Sequence, residues 1–303
     1  MERLRTPEAR FRDLPDFPYS PHYASVVDPT GGEPIRMAYL DEGPPEGAVV
    51  VLLHGEPTWS YLYRSTLPGL IGAGRRVIAP DLVGFGRSDK PTERREYTYE
   101  RHVHWLRELL FDHLELSHVT LFAQDWGSLL GLRLVGEHPH RFDRVAIGNG
   151  ALPTGAERAN EAFRAWQKYS QEVERLPVGN IVSGGCAQRL SREVIAAYDA
   201  PFPDERYKEG ARQFPLLVPT SVEDPAHRAN CLAWEVLATW SKPFLCCYSD
   251  GDAITRGADQ KFLDVVPGTR NVEHVTIRDA GHFLQEDKGP ELADLLNTLV
   301  AST

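Results

Sequence analysis

Val119-Thr120-Leu121-Phe122-Ala123-Gln124-Asp125-Trp126-Gly127-Ser128 is the stretch on which the fold of this chain turns. Residues 119–123 form a compact apolar run, the composition of a strand buried on both faces. Residues 128–135, immediately after, are Leu-rich and helix-compatible. Asp125 therefore stands at a strand-to-helix turn. That is the shape of a nucleophile elbow, normally Gly-x-Ser-x-Gly, here with Ala123 for the first Gly and Asp for Ser. A tight turn needs small flanking residues, and the helix that opens there points first-turn N–H groups toward developing negative charge. No Gly-x-Ser-x-Gly occurs elsewhere. On this stretch alone, Asp125 reads equally well as a cap on the following helix.

Working outward, further short runs rich in Val, Ile and Leu occupy residues 49–53, 77–80, 145–147, 244–248 and 275–277. They alternate with amphipathic stretches, which predicts a mostly parallel central sheet flanked by helices. Helices are expected over residues 61–71, with Pro68 blurring the bounds, over 99–114, where Val103, Leu106, Leu110 and Leu114 share a face, and over 290–300. Between residues 152 and 224 the pattern becomes charge-rich, amphipathic and Pro-broken, with no convincing strand. This predicts a helical cap over the carboxyl ends of the strands, where open parallel sheets bind ligands. The expected division is a core of residues 1–151 and 225–303 with the cap at 152–224.

Bulk properties narrow the partners. The chain has 303 residues, 42% hydrophobic and 25% charged, enough for one domain with a sizeable core. Its net charge of −10, with scattered basic residues, argues against nucleic acid or anionic lipid and for a small uncharged substrate. Residues 1–20 lack the apolar core of a signal peptide, and no run of eighteen apolar residues occurs, so a cytoplasmic protein is expected. The four cysteines show no paired spacing, and neither disulfides nor zinc is expected.

Two later motifs follow strands. Ser249-Asp250-Gly251-Asp252 comes first and Ala280-Gly281-His282-Phe283 second, giving the order nucleophile, acid, histidine of the α/β-hydrolase fold. His282 is the expected general base. Asp252 is favoured over Asp250 as its acid, because Asp250 lies nearer the strand and can point to solvent or tie the turn. After the strand at 49–53 comes His54-Gly55-Glu56-Pro57, so the backbone N–H groups of Glu56 and Trp126 are the expected oxyanion donors. Pro57 has no N–H and shapes the turn only.

Four segments now carry a resemblance: His54-Gly55-Glu56-Pro57-Thr58-Trp59-Ser60-Tyr61-Leu62-Tyr63-Arg64, Asp81-Leu82-Val83-Gly84-Phe85-Gly86-Arg87-Ser88-Asp89-Lys90-Pro91, Gln124-Asp125-Trp126-Gly127 and Tyr198-Asp199-Ala200-Pro201-Phe202-Pro203. Together, from about residue 20 to the C-terminus, the chain resembles the haloalkane dehalogenases, most of all the subfamily with an Asp-His-Asp triad. The resemblance implies that Asp125 displaces halide to form an alkyl ester, that His282 activates water to cleave it, and that Asp252 orients His282. It also implies that Trp126 and Trp166 bind the halide through indole N–H groups, which donate and cannot accept. Trp59, Trp105, Trp234 and Trp240 are expected to pack. The implied partners are a small uncharged halogenated alkane, water and halide, with no cofactor or metal, and a monomer is expected. An epoxide hydrolase of the same fold is the alternative, its ring-opening acid supplied by a cap tyrosine such as Tyr169, Tyr198 or Tyr207. A non-catalytic receptor on the same fold is the other.

Overall fold

The computed structural model describes residues 2–28, 31 and 33–302. Its strands are β1 (Arg3–Leu4), β2 (His22–Val26), β3 (Ile35–Glu42), β4 (Val49–Leu53), β5 (Arg76–Pro80), β6 (Lys90–Pro91), β7 (Val119–Asp125), β8 (Phe142–Gly150), β9 (Phe244–Ser249) and β10 (Val275–Ile277). Eight of them form one sheet in the order β10-β9-β8-β7-β4-β5-β3-β2, while β1 and β6 pair separately. From β10 to β5 every pairing is parallel. This follows from the apolar runs: β4, β5 and β7 are buried along almost their whole length, so both faces must be covered by helices.

The helices are α1 (Leu67–Gly72), α2 (Tyr99–Arg107), α3 (Trp126–Glu137), α4 (Glu161–Glu172), α5 (Val178–Gly185), α6 (Arg192–Asp199), α7 (Glu209–Leu217), α8 (His227–Leu237), α9 (Asp259–Val265) and α10 (Leu284–Ala301). From β4 the chain moves to β5 on one side and then to β7 on the other. The strand order reverses there, which opens a crevice at the carboxyl ends of β4 and β7. Glu56 follows β4 and Asp125 ends β7, so both stand at its mouth. Helices α4 to α7 lie between β8 and β9, and α8 returns to the sheet layers, where a Cβ on Gly136 of α3 would come within 2.6 Å of the Ala233 Cβ.

The structure departs from the sequence expectation in three places. The antiparallel strands β2 and β3 at one end of the sheet were not anticipated, because β3 mixes Arg36, Asp41 and Glu42 with its apolar residues and so lacks a continuous run. The helix expected over 61–71 is a 3-10 turn, Ser60–Tyr63, followed by α1. Pro68 falls in the first turn of α1, the one part of a helix that tolerates a missing N–H. The closing helix starts earlier than expected, at Leu284, and bends where Lys288 leaves helical geometry two residues before Pro290.

Candidate active site

Asp125 has φ 50° and ψ −125°, an unfavourable conformation for a residue with a Cβ. It is held there by close packing on either side. A Cβ on Gly127 would lie 2.2 Å from the Leu53 carbonyl oxygen, and one on Gly55 would lie 2.4 Å from Asp125 Oδ1. The Asp125 side chain makes no capping bond to α3, so the helix-cap reading fails. Instead the Glu56 N–H donates to Asp125 Oδ1 at 2.8 Å, and Asp125 Oδ2 faces His282 Nε2 at 3.5 Å. Trp126 opens α3, so its N–H is one of the first-turn amides without a partner inside the helix.

His282 is reached from the other side by Asp252, whose Oδ1 lies 3.1 Å from Nδ1. The turn after β9 fixes this carboxylate: the Ile254 N–H donates to Oδ1 at 2.8 Å, and the Thr255 N–H at 3.1 Å and its hydroxyl both donate to Oδ2. Burial pushes the Asp252 carboxyl up, but His282 and these donors outweigh it and bring it to about 2. Asp250 is exposed and faces the Ala280 N–H at 3.5 Å, while Asp252 is the one paired with His282 Nδ1. For His282, burial pulls the pKa down while Asp125 and Asp252 more than restore it, to about 10.

Glu56 contributes more than its amide. Its carboxyl is buried, with Oε1 unpartnered, and burial followed by repulsion from Asp125 holds its pKa well above the usual carboxylate range. The group lies within hydrogen-bonding reach of Trp166. Trp126, buried between Tyr99 and Phe214, and Trp166 of α4 line the same cavity of about 670 Å³ as Asp125, Glu56 and His282. Its size suits a small-molecule site. Among the described residues no tyrosine lines it, and Tyr198 instead donates to Glu286. Trp234, expected only to pack, donates its N–H to the Leu152 carbonyl and also lines the cavity. Among the described residues no group of three His, Cys, Asp or Glu side chains is placed to hold a metal.

Two supporting residues escaped the sequence reading. Asn149, at φ 46° near the end of β8, donates to the carbonyls of Gly281 and His282, each at 2.9 Å, and so ties down the loop that carries His282. Gln124 sits against the imidazole itself, its Nε2 at 3.1 Å from His282 Nε2. An Asn in a strand and a Gln beside an Asp carry no sequence signal for this, since their partners lie more than 130 residues away.

Residues 48–289 match the family model described as alpha/beta hydrolase fold. The chain is 55% identical to a haloalkane dehalogenase of Psychrobacter cryohalolentis, over 98% of this chain and 97% of that protein. It is 52% identical to one of Mycolicibacterium paratuberculosis, over 97% of each. Among solved structures it is similar to the tetrameric haloalkane dehalogenase DpaA from Paraglaciecola agarilytica NO2, with a TM-score of 0.90 and 38% identity, covering 100% of this chain and 99% of that one.

Proposed function

Because the chain belongs to the haloalkane dehalogenases, within the α/β-hydrolase family, and so cleaves carbon–halogen bonds by hydrolysis, we propose that it works through a covalent ester on Asp125. The observation that carries this is the placement of the Asp125 carboxylate between the Glu56 N–H and His282 Nε2. With Oδ1 held by the amide, Oδ2 is the attacking oxygen. It bonds to the sp³ carbon as the halide leaves with the bonding electron pair, a step that needs no proton. Trp126 and Trp166 meet the halide with indole N–H groups, since an unpaired anion in this cavity is costly.

In the second step His282 Nε2 takes a proton from water, whose oxygen attacks the ester carbonyl carbon. The Glu56 and Trp126 N–H groups receive the oxyanion, and its collapse releases the alcohol, a primary one from a terminal haloalkane. Asp252 holds the ring and balances its positive form. The order of steps follows from charge. While Asp125 is ionised it keeps His282 protonated; once it is an ester that influence vanishes and His282 becomes a base.

The test is His282→Phe. It should release at most one equivalent of bromide from a bromoalkane and stall as an alkyl ester on the Asp125 peptide, visible by mass. Continued turnover would overturn the assignment of the base. Epoxide opening needs an acid on the ring oxygen, and among the described residues no tyrosine lines the cavity to support that alternative.

We read residues 152–224 as the cap over a core of 1–151 and 225–303. No helix among the described residues is long and apolar enough to cross a membrane, and a cytoplasmic enzyme is our reading. For the assembly we propose a monomer, against which DpaA, solved as a tetramer, sets the alternative. Light scattering separates the two.

A further inference from the structure

Gln124 is fully buried behind the base. Its Nε2 lies 3.1 Å from His282 Nε2 and 3.2 Å from the His282 carbonyl oxygen, while its Oε1 is the acceptor for Gln285 Nε2 at 3.5 Å. Gln285 is also fully buried and adjoins the Tyr63 hydroxyl. These contacts fix the orientation of the amide. A carbonyl oxygen accepts only, so the side facing it must be the NH₂ group, which leaves the oxygen toward Gln285 Nε2. The same NH₂ group then faces the ring nitrogen that must hold a lone pair to act as a base.

We propose that Gln124 is a positioning residue for the hydrolytic step, its side-chain N–H selecting the His282 tautomer that carries its lone pair on Nε2 and its proton on Nδ1. An N–H donor is compatible with an unprotonated Nε2 and opposes a protonated one. Turning the amide over to accept from a protonated Nε2 would set its oxygen against the His282 carbonyl and its NH₂ against the Gln285 donor. Gln124 is thus a counterweight in a crowded electrostatic setting.

The groups facing the imidazole are the carboxylates of Asp125 and Asp252 and the carboxyl of Glu56, with Asp287 on the neighbouring Gly281 N–H. The Asp125 and Asp252 carboxylates favour the protonated ring. A glutamate at position 124 would join them and an apolar side chain would do nothing, so a neutral donor is the choice that aids the free base. The inference rests on His282 being the base of the second step.

The experiment is single-turnover mixing with 1-bromobutane across the pH range, reading bromide for alkylation and alcohol for hydrolysis. Loss of a hydrogen bond to the neutral form should raise the pH midpoint of hydrolysis in Gln124→Met by about one unit. Gln124→Glu should raise it further. Gln285→Met, one bond further out, should move it the same way by less. An unmoved or lowered midpoint in Gln124→Met, with hydrolysis slowed evenly at all pH, overturns the proposal and leaves only a packing role. If Gln124→Met fails to fold, the midpoint of Gln285→Met decides by the same criterion. His282→Phe in parallel separates the two levels: a trapped ester there with no midpoint shift removes Gln124 alone, whereas turnover there removes the base assignment beneath it.

Discussion

Esterification of Asp125 should expel a proton together with the halide, before any alcohol appears. Asp125 Oδ2 lies 3.5 Å from His282 Nε2. Unit charges at that distance interact by about 5 kcal/mol at an effective dielectric near 20 and about 1 kcal/mol in bulk water. Divided by about 1.4 kcal/mol per pH unit, losing the Asp125 charge lowers His282 by roughly 1 to 3.5 units. From about 10 in the free enzyme, the imidazole falls to between about 6.5 and 9 in the ester. The sign is fixed by the order of the two values. Between them, free enzyme holds the proton and ester does not; well above the higher one, neither does.

The assay is rapid mixing with a bromoalkane in weak buffer, following a pH indicator and bromide together. Near pH 8.5 the wild type should show a proton burst of up to one equivalent at the rate of the bromide burst, fading once the pH passes about 10. His282→Phe should give the bromide burst without the proton. A proton that appears only with the alcohol, or an amplitude that persists unchanged at the alkaline end, would refute the idea that Asp125 controls the basicity of His282.

Trp126→Phe and Trp166→Phe each remove one N–H while keeping an aromatic wall, and each should weaken halide binding by roughly 10- to 100-fold; bromide quenching of tryptophan fluorescence measures this, and normal affinity in Trp166→Phe would withdraw the cap donor. Asp125→Asn should show no bromide burst at an unchanged melting temperature, with mass spectrometry excluding reversion to Asp. Gly127→Ala would press a Cβ against the Leu53 carbonyl and should cost about 1–3 kcal/mol of stability by denaturant unfolding, together with activity, because the same turn holds Asp125.

The parallel half of the sheet was legible because strands covered on both faces have only one composition available to them. The runs at Val49–Leu53 and Val275–Ile277 coincide with β4 and β10 to the residue. The antiparallel strands β2 and β3 were not, since antiparallel pairing tolerates polar residues that erase the run. The roles proposed for Asp125 and His282 were suggested by the sequence because each follows a strand in a short motif. What the sequence leaves silent is everything contributed from across the fold. Neither the raised pKa of the Glu56 carboxyl, which depends on burial beside Asp125, nor the contact of Gln124 with His282 can be read from neighbours in the chain.

The site also depends on how the helical segment is seated. Trp126 belongs to the elbow and is fixed by the sheet, whereas Trp166 rides on α4. That segment is bonded to the loops that carry Asp252 and His282. The Gly185 carbonyl accepts the His282 N–H at 2.7 Å, and Asp287 accepts from the Ala187 and Gly281 N–H groups, each at 2.9 Å. At the start of α4, Asn160 donates to the Ile254 carbonyl beside the turn that fixes Asp252, and Glu157 pairs with Lys261. A shift of the segment would therefore move one proposed halide donor relative to the other and disturb the loops of Asp252 and His282 together. Substitutions on α4 or α5 that alter substrate preference should for this reason also change the hydrolytic rate, even where they touch neither Asp125 nor the water.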